Sequence, residues 1–382
     1  MSSKTLQYDI SFKSNAPTIS AGIERLDDSL SGVKSTVGKM ANGFSSAMDK
    51  INSKLNTIRI DSFINNINHA ADGLNSLASP GQKLNASLQD LSAITDVSGD
   101  QLKEIEGYAR SSARTFGGEA SDGVESYKLL LSQLSPEIAN KPKALQEMGN
   151  SVSILSKTMG GDSRAATEVL TTAMNQYGVS LTDPIKASKE MSAMMNIMAA
   201  GAKEGSAELP AQKAALEQSG MAAKNARVSF AETSAAIQVL DKAGKKGSEG
   251  GVALRNTLAI LSKGRFLPKD VQKELQAAGI DVDILGDKNL TLANRLKPLR
   301  NIMNDSALIT KLFGQENNNA AIALINGISE QERLTAAIEG TNTAYEQAAI
   351  VMESDIEKQA RLKAGVEDFK ITMYNATGGA LG

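Results

Sequence analysis

The sequence predicts an all-α protein: a long amphipathic helix near the N-terminus, followed by a globular region of many shorter helices. Apolar residues recur at spacings of three and four along most of the chain, which is the period of an amphipathic helix. Glycines and small polar residues divide the rest into segments of roughly 10 to 20 residues, the usual length of globular helices. Residues 6–12 alternate instead, with Leu6, Tyr8, Ile10 and Phe12 on one face, and predict one short N-terminal strand.

After Pro17 the apolar residues follow a narrow helical seam that continues to Ile58. Such a seam is typical of a coiled coil, and each glycine within it would weaken an isolated helix by about 1 kcal/mol relative to alanine. We therefore expect this helix to pack on its own domain or, the favoured alternative, to self-associate or bind a partner helix. The residues expected to form the self-association or partner seam are Ile23, Leu26, Leu30, Val33, Val37 and Met40.

From about residue 61 the pattern changes to short helices with recognisable ends. Glycines such as Gly220, Gly244 and Gly314 predict helix ends. The last helix is expected to run from about Thr343 to Asn375, with a break near Ser354. Capping boxes, in which a Ser or Thr and a Glu or Gln three residues later satisfy each other's backbone N–H groups, predict helix starts. They are Ser98–Gln101, Ser229–Glu232, Ser329–Glu332 and Thr343–Glu346.

These patterns predict three segments. Residues 1–60 would hold the strand and the helical arm, residues 61–340 an all-helical region, and residues 341–382 a C-terminal helix that leads out of it. No stretch approaches 18 consecutive apolar residues, and the first residues lack the apolar run of a signal peptide. We therefore expect a soluble chain that is made in the cytoplasm.

The composition excludes several classes of site. The chain has no Cys and a single His, His69, so disulfides, thiolate sites and multi-His metal sites cannot form. A phosphate loop needs Ser or Thr after Gly-Lys, but Lys246 follows Gly244-Lys245, and the segment is better interpreted as a turn between helices. We therefore expect a protein that is not an enzyme and that holds no metal or cofactor. The net charge of −2 argues against a dedicated nucleic-acid binder.

A methionine-rich stretch, residues 191–202, allows two interpretations. Met191, Met194, Met195 and Met198 lie at helical spacing. Core packing is the simpler interpretation, because methionine fills irregular apolar interiors. The alternative is a flexible surface that binds a partner or a membrane.

Four stretches, in order, resemble the tape measure proteins of tailed bacteriophages, in the family that has the minor-tail region. The most specific stretch is VSFAETSAAIQVLDKAGKKGSEGGVALRNTLAIL, residues 228–261. The other three are residues 91–134, 160–180 and 312–325. A closing helix from Thr343 is also similar, so the resemblance extends over about residues 85–376.

The resemblance implies a structural virion protein that occupies the lumen of the phage tail, templates tail-tube assembly, sets tail length and is released when DNA is ejected. It implies the tail-tube protein, tail assembly chaperones and distal tail or baseplate proteins as partners, a homo-oligomer in the tail, and no specific nucleic acid. Family members are commonly longer, so the chain is expected to be the N-terminal portion of such a protein or a truncated copy. The alternative function is a membrane-active helical protein that acts on the host envelope during DNA entry.

Overall fold

The computed structural model describes the backbone of residues 67–376 and the side chains from residue 76 onward. In this range the regular structure consists of seventeen α-helices and short 3₁₀ turns, without a strand. The all-α prediction is therefore confirmed for the described part of the chain. The strand predicted at residues 6–12 and the long helix that carries Ile23 to Met40 lie outside the described residues.

The helices follow one another with short connections. The first eight are α1 (Ile67–Thr95), α2 (Gly99–Phe116), α3 (Ala120–Gln133), α4 (Pro142–Lys157), α5 (Ser163–Gln176), α6 (Pro184–Glu204), α7 (Leu209–Asn225) and α8 (Phe230–Lys242). The next five are α9 (Gly247–Leu261), α10 (Lys269–Ala277), α11 (Val282–Gly286), α12 (Leu292–Leu296) and α13 (Ser306–Phe313). The last four are α14 (Asn318–Asn326), α15 (Ile328–Ile338), α16 (Thr343–Met352) and α17 (Asp355–Ala376).

A main apolar core joins these helices. Helices α1, α2 and α3 pack together, α4 packs on α6, and α5 packs on α7. The last helix, α17, returns to contact α1 and α2. All described residues belong to one compact unit, and the division into segments 1–60, 61–340 and 341–382 stays a prediction.

Helices α7 and α9 form the most extensive helix pair, because small residues line their contact. A Cβ atom placed on Gly251 would overlap the carbonyl oxygen of Ala215 and lie 2.8 Å from its Cα atom. Ala215 itself is fully buried. The two backbones therefore touch, and glycine is the residue that permits this distance.

The methionine-rich stretch lies in α6 and faces the core. Met191, Met195 and Met198 are fully buried, and Met194 is 8% exposed. The core-packing interpretation is therefore confirmed, and the interpretation as an exposed partner- or membrane-binding surface is wrong. Among the described residues, no helix is both long enough and apolar enough to span a bilayer.

One of the predicted capping boxes forms, at the start of α8. Ser229 Oγ accepts the N–H of Glu232 at 3.1 Å, and Glu232 Oε2 accepts the N–H of Ser229 at 2.9 Å. Ser98 precedes α2, but its side chain makes no capping hydrogen bond. Ser329 lies inside α15 and Thr343 is the first residue of α16, so neither occupies the capping position. At Ser329 and Thr343 the spacing of a capping box is present, but the helix begins two residues and one residue earlier, respectively, than the spacing predicts.

The glycine signals are more reliable. Gly244 and Gly314 follow α8 and α13 with φ angles of 88° and 79°, and confirm the predicted helix ends. Gly220 is an exception because it lies inside α7, where a Cβ atom would be 2.6 Å from the Cβ of Gln176 in α5. Its role is close helix packing. The predicted break near Ser354 is confirmed between α16 and α17.

Ser229→Ala should lower the free energy of unfolding by about 1 kcal/mol, because it removes an N-cap hydrogen bond at a buried helix. Ser98→Ala is the matched control, since Ser98 is an N-cap residue without such a bond, and its effect should be a few tenths of that value. Urea denaturation of both variants measures the difference. Equal losses would show that the Ser229 side chain contributes nothing specific.

Candidate interaction sites

The predicted seam of Ile23 to Met40 lies outside the described residues and stays a prediction. Within residues 76–376, no three His, Asp or Glu side chains are arranged so that they could hold a metal ion. The same range contains three candidate features: a polar groove, ion pairs that attach the C-terminal helix, and a buried arginine.

A shallow groove of about 440 Å³ lies between α7, α9 and the loop before α14. Asn256 donates to the side-chain oxygen of Asn317 at 3.0 Å, and Gln218 lines the same groove. Lys245 and Glu249 form an ion pair at its edge. Carboxamides both donate and accept hydrogen bonds, and here the Asn256–Asn317 bond joins α9 to the loop before α14. Two of the stretches that resemble tape measure proteins, residues 228–261 and 312–325, meet here.

The segment around Gly244-Lys245, which departs from the phosphate-loop pattern, contributes to this groove as a turn and a helix start. Gly244 closes α8, and α9 begins at Gly247. The interpretation as a turn between helices is confirmed.

Charged side chains attach α17 to α2. Asp368 accepts hydrogen bonds from Arg110 Nε at 2.6 Å and from Arg114 Nη1 at 2.5 Å. Arg110 also donates to Thr372 Oγ1 at 2.5 Å. Asp368 and Arg110 are largely shielded from water, with side chains 15% and 19% exposed. Charge-assisted hydrogen bonds are about twice as strong as neutral ones.

A second ion pair supports the other end of α17. Lys157 of α4 contacts Glu357 at 2.6 Å, and both side chains are mostly buried. By contrast, Ala364 and Ile371 are the α17 residues that are fully buried. The docking of α17 therefore combines ion pairs with the burial of apolar side chains.

Asp368→Asn should weaken the docking of α17 by about 1–3 kcal/mol, because one carboxylate serves two arginines. Amide hydrogen exchange in α17 should accelerate by roughly 10- to 100-fold, as 1.4 kcal/mol corresponds to a factor of ten in the opening equilibrium. Asp355→Asn is the control on the same helix, since Asp355 pairs with Lys358 at the surface and is 90% exposed. Similar exchange in both variants would contradict the role of the Asp368 pairs.

Arg295 of α12 is fully buried and joins three other elements. Its Nε donates to the carbonyl of Leu285 in α11 at 2.8 Å, and Nη1 donates to the carbonyl of Ala226 after α7 at 3.3 Å. Glu232, at the start of α8, favours the charged form, and its Oε1 also accepts the N–H of Leu292 at 2.8 Å. Burial lowers the pKa of Arg295 from its ordinary value.

Sequence reasoning missed Arg295. The available signal was its position on α12, three residues after Leu292 and four before Leu299, where the helix period calls for an apolar residue. A charged residue at such a position indicates a buried hydrogen-bonding role.

Two comparisons with known proteins give matches. A family profile described as phage-related minor tail protein matches residues 142–351, more than half of the chain. A curated protein named "Tape measure protein", from Pneumococcus phage Dp-1, is 21% identical over 296 residues. That alignment covers 75% of this chain and 24% of the relative, so the chain spans about a quarter of the relative's length. No solved structure matches the chain.

Proposed function

Since the chain belongs to the family of phage-related minor tail proteins, we propose that it acts as a tape measure in the phage tail. In this role it occupies the tail lumen, templates the tail tube, sets tail length and is released when DNA is ejected. The family match over residues 142–351 carries the proposal, because it covers α4 to α16 and so most of the described core. The name of the Dp-1 relative supports the tape measure role within the family.

As a component of the phage tail, the chain would have other tail proteins as its partners. More specifically, the proposed partners are the tail-tube protein, tail assembly chaperones and distal tail or baseplate proteins. Self-association through the seam of Ile23 to Met40 belongs to the same proposal. We also propose a purely structural role without catalysis.

The packed helices have a consequence for this proposal. The longest described helix, α1, has 29 residues and spans about 44 Å at 1.5 Å per residue. This region can therefore set tail length only if its helices separate and extend, or if it is one part of a longer protein.

The test is electron microscopy of particles induced from a lysogen in which the reading frame is deleted. We expect missing tails, or tubes of uncontrolled length, and restoration of normal tails when the unaltered frame is supplied from a plasmid. Normal tails of unchanged length in the deletion strain would overturn the proposal.

A further inference from the structure

Phe266 projects from the 3₁₀ turn between α9 and α10, and its side chain is 77% exposed. The other aromatic side chains in the described range are buried or half-buried. Burial of a phenylalanine ring normally stabilises a fold, but most of the Phe266 surface stays in contact with water. We propose that the Phe266 turn, defined as residues 263–269, docks into an apolar pocket with an acidic rim on a partner protein.

The turn holds Phe266 in a fixed position. Gln272 donates to the carbonyls of Arg265 at 2.8 Å and Leu267 at 2.6 Å, and the N–H of Phe266 donates to the carbonyl of Lys263 at 2.7 Å. Leu267, the next residue, is buried in the core. These bonds fix the backbone of the turn before binding, so the turn loses little backbone conformational entropy when Phe266 docks, which favours a binding contact.

The turn is also anchored from below by a close backbone contact. Gly264 has a φ angle of 45°, and a Cβ atom on it would lie 3.4 Å from the Cα of Gly286 in α11. The two glycines let the turn sit directly on α11. Phe266 is thus displayed on a turn that is held by two helices, α10 through Gln272 and α11 through Gly286.

Three cationic residues of the Phe266 turn flank the exposed ring in the sequence. Lys263, Arg265 and Lys269 are exposed, and none of them forms an ion pair with another described residue. The guanidinium of Arg265 lies 5.4 Å from the centroid of the Phe266 ring. The nearest acid in sequence, Asp270, is already paired with Lys311 at 2.6 Å. The turn itself therefore carries three positive charges and no negative one, in a chain whose net charge is −2, and these charges favour an acidic partner surface.

The shape of the Phe266 turn favours a protein over other anionic partners. Stable membrane attachment takes a broad apolar helix face, whereas this turn presents one ring. Single-stranded nucleic acids stack on several aromatic rings along a groove, whereas Phe266 is the one exposed aromatic ring among the described residues and Arg265 lies over it. An aromatic ring beside an arginine is the composition of a protein–protein hot spot.

The first experiment identifies and measures the contact. A photo-crosslinking phenylalanine analogue is placed at position 266 of the full chain in a lysogen, and the crosslinked protein is then purified. We expect the unaltered chain to bind that protein, with Phe266→Ala weakening the affinity by about 10- to 100-fold. The triple variant Lys263→Glu, Arg265→Glu, Lys269→Glu should weaken it as well and remove the loss of affinity at high salt.

Met221→Ala is the matched control, since Met221 is also a large exposed side chain, 60% exposed, on a different helix. All variants should keep their Tm within about 2 °C, because surface substitutions rarely change stability. Equal binding by the Phe266→Ala variant and the unaltered chain, or no protein adduct at position 266, would overturn the proposal.

Two further probes separate the other anionic partners. Vesicles of phosphatidylglycerol and phosphatidylcholine in about equal parts, and a single-stranded DNA oligonucleotide, should not bind in a Phe266-dependent way. Such binding to either would overturn the docking to a protein pocket. The identification of the partner as a tail protein rests on the proposed function, whereas the measured affinity does not. If the deletion strain formed normal tails, the proposed function would fail, but a Phe266-dependent affinity would still stand.

Discussion

Gly251→Ala should lower the free energy of unfolding by about 2–3 kcal/mol. The added methyl group would overlap the carbonyl oxygen of Ala215 and approach its Cα to 2.8 Å, and the obstacle is backbone, which cannot rotate away. Relief requires α7 and α9 to move apart, which loosens the most extensive helix pair of the structure. Urea denaturation followed by circular dichroism measures the change, with an unchanged m-value as evidence that the unfolded state is not altered.

Gly107→Ala is the control with the opposite expected sign. Gly107 also lies inside a helix, α2, but a Cβ atom there would meet nothing within 4 Å. Alanine should therefore raise the free energy of unfolding by about 0.5–1 kcal/mol, because glycine loses more conformational entropy when a helix forms. If both variants shift stability in the same direction, the contact between α7 and α9 is not as close as described.

Arg295→Met should lower the free energy of unfolding by about 3 kcal/mol. Methionine fills much of the arginine volume but donates no hydrogen bond, so the carbonyls of Leu285 and Ala226 lose their partner. Each buried polar group left unsatisfied costs about 1–3 kcal/mol. Thermal and urea unfolding both measure the effect.

Two further variants test whether the lost hydrogen bonds cause this loss of stability. Arg300→Met changes an exposed arginine on the turn that follows α12, and its effect should stay within about 0.5 kcal/mol. Arg295→Lys should recover part of the loss, because an ammonium group can satisfy one carbonyl but lacks the planar fork that reaches two. A stability of Arg295→Met equal to that of the unaltered chain would contradict the bridging role of this side chain.

Much of the fold could be predicted from the sequence because helical period and glycine are local signals. The period of apolar residues identifies α6 with its buried methionines, and the positive φ angle at Gly244 or Gly314 is a property of glycine itself. Capping boxes were less reliable. Their residues are common, and whether Thr343 caps a helix or begins one depends on a register of one residue that tertiary packing decides.

The candidate sites were harder to predict because they are formed by distant segments. The groove joins Asn256 to Asn317, and the α17 attachment joins Arg110 to Asp368. Neither pairing has a sequence signature, since each residue alone is an ordinary polar residue on a helix. Phe266 was missed for another reason: exposure of an aromatic ring follows from the whole fold, and its neighbours Lys263 and Lys269 gave a charge pattern too short to stand out.

During synthesis, Arg110 leaves the ribosome 258 residues before Asp368. At about 5–20 residues per second, this interval lasts roughly 13 to 50 seconds. Helices form within about a microsecond, so α1 and α2 can be complete long before the helix that covers them exists. For that time the surfaces later covered by α17 face water and any other nascent chain nearby. The order of translation, more than the strength of the Asp368 ion pairs, therefore sets the time at which α17 covers α1 and α2.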